Sequence, residues 1–144
     1  LNKTNKGYQI DKRARYWLKQ INLDYGHGTG HGVGFFLNVH EGPQSISKNN
    51  NVKLKEGMIL SNEPGYYKKN YYGIRIENLI YIKKKGKKIF FENLTLAPIE
   101  KDLINFNLLN EEEKDYLFRY HLNVYFKISK FLNFKERKWL ASLI

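Results

Sequence analysis

Glycine occupies every second position across residues 26–34, in the run Gly-His-Gly-Thr-Gly-His-Gly-Val-Gly. Five glycines would cost a helix roughly 1 kcal/mol each, so the run predicts extended or irregular backbone. If the run is extended, its two-residue period leaves one face bare, where a neighbouring backbone can approach closely. The other face then carries the side chains of His27, Thr29, His31 and Val33.

The spacing of this run excludes two familiar motifs. The helical zinc-protease motif needs a glutamate directly after its first histidine, and no placement of the run satisfies the G-x-G-x-x-G pattern of a dinucleotide loop. A glycine-rich bend with hydrogen-bonded histidines is the alternative interpretation. A further histidine, His40, lies in Asn-Val-His-Glu-Gly-Pro, residues 38–43, where on its own it is typical of a turn residue.

Two glutamates lie within otherwise apolar segments that predict strands. Glu63 follows Met-Ile-Leu-Ser-Asn and precedes Pro-Gly, which indicates a sharp strand ending. Glu77 lies in an alternating segment that sends it to the same side as Arg75. The isoleucines of that segment, Ile74, Ile76 and Ile80, are sent to the other side.

A buried ionised carboxylate is costly unless it is paired or bound to metal. The chain has no cysteine, which excludes disulfides and thiolate metal sites, so any metal must be held by His, Asp or Glu. One histidine and the two glutamates predict half of a site for a hard divalent ion such as Mn²⁺. An ion pair between Arg75 and Glu77 is the alternative.

The wider pattern predicts helix, sheet and helix within one α+β unit. Apolar residues recur at helical spacing over Asp11–Ile21, and Asn110 followed by three glutamates predicts the capped start of a helix. A short helix is predicted over Glu136–Leu143. Glycine and proline punctuation with β-branched and aromatic runs predicts strands at residues 58–67, 72–82, 89–92 and 94–99.

The net charge of +11 raises the question of nucleic-acid binding. The excess is +5 over residues 1–23, +1 over 24–78, +3 over 79–100 and +2 over 101–144. A binding stripe would concentrate charge on one element, whereas these lysines are scattered or flank Gly86 as a hairpin turn would. We therefore predict solvated lysines and no nucleic-acid partner. The apolar runs are too short to span a membrane.

In order and spacing, the motifs resemble the C-terminal part of the catalytic domain of aminopeptidase P, the Xaa-Pro aminopeptidase of the pita-bread metallopeptidase family. The matching segments are residues 27–34, 38–43, 63–65 and 73–78. The residues of these motifs are most similar to those of the long cytosolic eukaryotic form. The resemblance implies an α+β fold, the C-terminal half of a pita-bread domain, with an antiparallel sheet flanked by helices. Within residues 1–144 this assigns a helix end to 1–23, the sheet with the site motifs to 24–100 and C-terminal helices to 101–144.

The resemblance also assigns roles by position. His31 and Glu63 would bind one metal, Glu77 would bridge two divalent ions, most often Mn²⁺, and Glu63 would also be the general base. The non-ligand histidines, His27 and His40, would hold the substrate and stabilise charge at the scissile amide.

Further expectations follow from the same resemblance. Arg75 would orient the bridging carboxylate. The implied activity is hydrolysis of the N-terminal Xaa-Pro bond of peptides with proline at the second position, by a cytoplasmic homodimer.

One departure from the family pattern concerns its two metal-binding aspartates, which precede the first histidine motif. The four aspartates of this chain lie in neither motif: Asp11, Asp24, Asp102 and Asp115. We therefore expect that the upstream half of the domain is missing and that the chain alone is inactive. A non-catalytic pita-bread protein is the competing interpretation, although every ligand that this span should hold is present.

Overall fold

The computed structural model describes residues 6–36, 38–86 and 88–144, and the chain divides into two compact units between Thr95 and Leu96. The first unit opens with two short helices, α1 (Gly7–Ala14) and α2 (Tyr16–Gln20). They confirm the helix predicted over Asp11–Ile21, with an interruption at Arg15.

Among the described residues of the first unit, seven strands follow, and every pairing between them is antiparallel. The first two, β1 (Gly30–His31) and β2 (Ser45–Ile46), pair with each other. A three-stranded sheet has the order β3-β6-β7, formed by β3 (Ile59–Asn62), β6 (Asn78–Lys85) and β7 (Lys88–Asn93). A separate two-stranded sheet joins β4 (Gly65–Lys68) to β5 (Tyr72–Arg75). The antiparallel sheet is therefore confirmed, and so is the lysine-flanked hairpin, because Gly86 turns between β6 and β7 with a φ of +59°.

Two predicted long strands are each interrupted. The segment 58–67 is divided into β3 and β4 at Glu63 and Pro64, and the segment 72–82 into β5 and β6 at Ile76 and Glu77. Proline has no N–H to donate to a ladder, which accounts for a break at Pro64. The prediction of one apolar face is consequently wrong, since Ile80 is buried at 4% exposure whereas Ile76 is 48% exposed.

The strand predicted at residues 94–99 is also wrong, because this segment is irregular. The main chain of Leu94 still donates to Leu79 O at 2.8 Å. The Leu79 N–H, in turn, donates to the Thr95 hydroxyl at 2.8 Å. A side-chain oxygen therefore replaces the main-chain carbonyl that would accept this hydrogen bond in a continued strand. Pro98 removes a further donor from the segment.

The core of the first unit lies on one face of the three-stranded sheet. Its buried members are Ile46, Leu54, Leu60, Ile80, Ile82 and Ile89. Ile10 of α1 packs against them, which ties the first helix to the sheet. Burial of such side chains is the main source of stability, at about 1.5–3 kcal/mol for each fully buried Leu or Ile.

The second unit contains the two predicted C-terminal helices, α3 (Glu111–Ile128) and α4 (Phe134–Ser142). Asn110 caps α3 in a reciprocal capping box with Glu113, as the sequence predicts. Asn133 caps α4, which begins two residues before its predicted start. The core of this unit is formed by Tyr120, Val124 and Leu140. Among the described residues, no helix is both long and apolar enough to cross a bilayer.

The stability of the second unit is expected to fall in mild acid because of His121. Its Nε2 accepts the Ile99 N–H at 3.0 Å, which requires a neutral ring. Burial lowers the pKa of His121 below its usual 6.5, so the folded state binds fewer protons than the unfolded state there. This contribution is therefore present above pH 6.5 and is lost as the pH falls through the lowered pKa.

Thermal melting at pH 7.5 and pH 5 measures this effect. His121→Gln keeps an acceptor in place but does not titrate, so the variant is expected to lose less melting temperature on acidification than the wild type. An identical loss in both proteins would contradict the assignment.

Candidate metal centre

The two interruptions described above face each other in a single hairpin register. Asn62 pairs with Asn78 in one sheet, and Gly65 pairs with Arg75 in the next. The offset is the same in both sheets, so the same register, continued through the unpaired residues between them, sets Glu63 opposite Glu77. Like charges directly opposite on paired strands are destabilising, and this arrangement favours a cation between them.

One ligand atom from each of His31, Glu63 and Glu77 lies within 4.8 Å of the others. His31 Nε2 is 3.5 Å from Glu63 Oε1. Glu63 is 9% exposed, whereas Glu77 is exposed. One imidazole and two carboxylates suit a hard or borderline divalent ion, so the donor set fits the metal that the sequence predicts. The three residues predicted as ligands are thus brought together.

His31 is held in an orientation that suits a metal ligand. Its Nδ1 donates to Gly32 O at 3.0 Å, which leaves the lone pair on Nε2 facing Glu63. The Ser61 hydroxyl accepts the His31 N–H at 2.9 Å and donates to Glu63 Oε1 at 2.9 Å. A Cβ on Gly30 would collide with the Ser61 carbonyl, so the close backbone approach predicted from the alternating glycines is confirmed.

His27 belongs to a second hydrogen-bonded group beside the three candidate ligands. Its Nδ1 donates to Gly28 O at 2.7 Å, and its Nε2 lies 2.8 Å from the Tyr67 hydroxyl. Arg75 Nε donates to the same hydroxyl at 2.8 Å. Because Tyr67 accepts from Arg75, its own proton is directed to His27 Nε2.

Tyr67 was not among the predicted site residues. Its signal is positional, because it lies two residues beyond Gly65 on the side of the hairpin that also carries Glu63 and Arg75. Opposite it, Gly73 leaves room for the ring, since a Cβ there would lie 2.7 Å from Tyr67 Cδ1. Hydrogen bonding to Tyr67 raises the pKa of Arg75, and the nearby Glu63 and Glu77 charges act in the same direction.

The ion pair of Arg75 differs from the sequence-based expectation. Arg75 Nη1 is 3.2 Å from Glu63 Oε2, on the opposite strand, whereas the resemblance implied that it orients Glu77. The alternation of β5 does not extend to Glu77, because the strand ends at Arg75. Arg75 therefore contacts the carboxylate across the hairpin rather than the one two residues along its own strand.

His40 lies at the edge of the site. Its ring centroid is 4.0 Å from that of His31, in an edge-on arrangement at 64°. The side chain is exposed, and it is not one of the three clustered candidate ligands. All six predicted site residues thus lie in the first unit.

A buried network anchors the loop that carries His27. Arg15 is 2% exposed and donates from Nε to Asp11 at 2.8 Å, from Nη1 to Asp24 at 2.5 Å and from Nη2 to the His27 carbonyl at 2.5 Å. Thr29 Oγ1 donates to the other Asp11 oxygen at 2.7 Å. Burial alone would raise the pKa of Asp24, but hydrogen bonds from Arg15 and others hold it well below its usual value. Asp11 and Asp24 therefore serve this network.

Residues 2–84 match the model of metallopeptidase family M24, and residues 88–143 match that of the C-terminal region of M24 peptidases. Xaa-Pro aminopeptidase 1 of Dictyostelium discoideum is 45% identical over 156 residues, covering 99% of this chain and 25% of that protein. Aminopeptidase P2 of Arabidopsis thaliana is 46% identical over 145 residues, covering 93% and 20%.

The crystal structure of an X-prolyl aminopeptidase from Caenorhabditis elegans superposes with a TM-score of 0.90 at 38% identity. The match covers 99% of this chain and 25% of that enzyme, which is described as cytosolic with a di-nuclear active site. These matches confirm the resemblance to aminopeptidase P and the pita-bread type of α+β fold. The chain spans about a quarter of the length of the relatives it matches.

Proposed function

Because the chain belongs to metallopeptidase family M24, we propose that the intact protein removes the first residue from peptides that carry proline at the second position. The observation that carries this proposal is the opposition of Glu63 and Glu77 across the hairpin, with His31 beside them. Relatives named Xaa-Pro aminopeptidase support the substrate class. The C. elegans enzyme, with its di-nuclear site, supports two metal ions, for which we propose Mn²⁺.

His31 and Glu63 would hold one ion and Glu77 would be shared by both. When bound, the ions would supply a water of lowered pKa and polarise the scissile carbonyl. Glu63 would accept the proton of the attacking water. The Ser61 hydroxyl and the Arg75 guanidinium each hold one of its two oxygens, which fixes the carboxylate plane.

His27 and His40 would bind the peptide beside the metal ligands. The Tyr67 hydroxyl fixes the His27 ring at 2.8 Å, and His40 lies against the His31 ring. Polar groups held in advance at the position where charge develops are the usual source of large rate enhancements. Release of a proline-started peptide then completes the reaction.

The test is a peptidase assay of the intact protein on an Xaa-Pro peptide and on the matched Xaa-Ala peptide. We expect cleavage of the first only, abolished by a chelator and restored by Mn²⁺. Equal cleavage of both peptides would contradict the proline requirement. Activity that survives complete metal removal would contradict the metal requirement.

Location and assembly complete the proposal. We place the protein in the cytoplasm, as the C. elegans relative is described, and propose a homodimer for the intact protein. Light scattering of the intact protein measures its mass in solution, and a monomer at micromolar concentration would contradict the dimer.

Arg75→Lys is expected to be poorly tolerated in the intact protein. Arg75 bonds Tyr67 through Nε and Glu63 through Nη1, and an ammonium cannot hold two partners in that planar arrangement. We expect kcat to fall by about tenfold to a hundredfold, as for other residues that support metal ligands. Steady-state kinetics on an Xaa-Pro peptide measures the change, with the exposed Arg119→Lys as control. Near-normal activity of Arg75→Lys would show that Arg75 is only a surface charge.

A further inference from the structure

A row of three asparagine side chains crosses the three-stranded sheet at one end. Asn62 Nδ2 donates to Asn78 Oδ1 at 2.9 Å, and Asn78 Nδ2 donates to Asn93 Oδ1. Asn62 and Asn78 form the last pair of β3 and β6, and Asn93 is the last residue of β7. The middle residue, Asn78, therefore uses both ends of its amide to tie its two neighbouring strands together.

This asparagine row lies next to the two opposed carboxylates. Asn62 directly precedes Glu63, and Asn78 directly follows Glu77. Strand alternation places Asn62 on the core face with Leu60, and places Ser61, which bonds Glu63, on the opposite face. The asparagine row thus ties the strands together on the core face of the sheet. The carboxylates lie next to it along the chain, on the opposite face.

The hairpin needs such a brace at this position. Main-chain pairing between β3 and β6 stops at Asn62 and Asn78, and pairing resumes only at Gly65 and Arg75 in a different sheet. Within the interruption, Pro64 has no N–H that could donate a main-chain hydrogen bond. The two negatively charged carboxylates, Glu63 and Glu77, also face each other there. On the sheet side of the interruption, the pair Asn62–Asn78 is the last main-chain pair before the two carboxylates, and the asparagine side chains reinforce that pair.

We propose that Asn78 is a positioning residue that, through Asn62 and Asn93, presets the separation of Glu63 and Glu77 for metal binding. This inference rests on the metal site of the proposed function. Neither Asn62 nor Asn78 is a ligand, and both act through the strand ends that carry the ligands. Residues that support metal ligands typically change metal affinity by 10–100-fold when removed.

The experiment measures Mn²⁺ binding to the metal-free intact protein by the EPR signal of free Mn²⁺, for wild type, Asn78→Ala, Asn62→Ala and the double variant. We expect Asn78→Ala to raise the Kd by about tenfold, and Asn62→Ala to raise it less because one of the two ties remains. The double variant should bind like Asn78→Ala alone, since the shared hydrogen bond can be lost only once.

Ile82→Val is the matched control, because Ile82 is fully buried in the same strand but lies away from the row. It should lower the melting temperature and leave the Kd unchanged. If the wild type binds Mn²⁺ and both asparagine variants bind it with the same Kd as the wild type, this inference is overturned while the proposed function stands. A Kd that rises equally in Ile82→Val would also overturn this inference. If Asn78→Ala does not fold, the Asn62→Ala measurement decides in the same way. A wild type that binds no Mn²⁺ would overturn the proposed function, and this inference with it.

Discussion

Glu77→Ala in the intact protein is expected to remove bound metal and peptidase activity together. Glu77 stands opposite Glu63 in the hairpin, with a ligand atom within 4.8 Å of those of Glu63 and His31. A ligand shared by two ions cannot be lost without destabilising both. Metal analysis of the purified variant, alongside its kcat on an Xaa-Pro peptide, measures the two losses.

His27→Ala is the comparison variant, because His27 bonds Tyr67 and is not among the three clustered ligands. We expect it to retain the metal and to reduce kcat by about 10²–10³-fold through lost transition-state stabilisation. Full metal content in Glu77→Ala would show that the bridging role is assigned to the wrong residue. Loss of metal in His27→Ala would show that this histidine supports the ligands rather than the substrate.

The sequence predicts which residues belong to the candidate site better than it predicts how the strands bring them together. The period-two glycines correctly indicated a close backbone approach. The polar positions within apolar strands selected Glu63 and Glu77, which the structure brings close together. Their direct opposition depends on the register across the turn between β4 and β5, which alternation within a single strand does not encode. The same limit explains why residues 72–82 appeared to form one strand: Ile74 and Ile80 keep the alternation although they belong to different sheets.

The residues that sequence reasoning missed act through partners distant in the chain. Arg15 appeared as one of the scattered basic residues near the N-terminus, and a buried arginine is rare unless it is paired. Its partners include Asp24 and the His27 carbonyl, nine and twelve residues away. Tyr67 contacts His27 forty residues away. Alternation places Tyr67 on the side of Glu63, but local periodicity does not identify a partner as distant as His27, and it carries no information about the contacts of Arg15.

The 144-residue chain by itself is expected to show no peptidase activity and to bind Mn²⁺ weakly. His31, Glu63 and Glu77 supply three protein ligands for two ions. The four aspartates of this chain do not complete the set, because Asp11 and Asp24 are engaged by Arg15, and Asp102 and Asp115 lie in neither aspartate motif of the family. One ion would therefore keep little besides the shared carboxylate and water, which seldom holds a divalent cation.

The chain alone is also expected to associate in solution. Ile74 and Ile76 are 49% and 48% exposed at the edge of the site, and apolar strand surface normally packs against another layer. The decisive comparison assays the purified 144 residues with added Mn²⁺ against a longer protein that supplies two upstream aspartates, on the same Xaa-Pro peptide. Restoring the upstream segment should produce cleavage and reduce association. Proline-specific cleavage by the 144 residues alone would refute the argument from missing ligands, because three side chains would then suffice for the whole reaction.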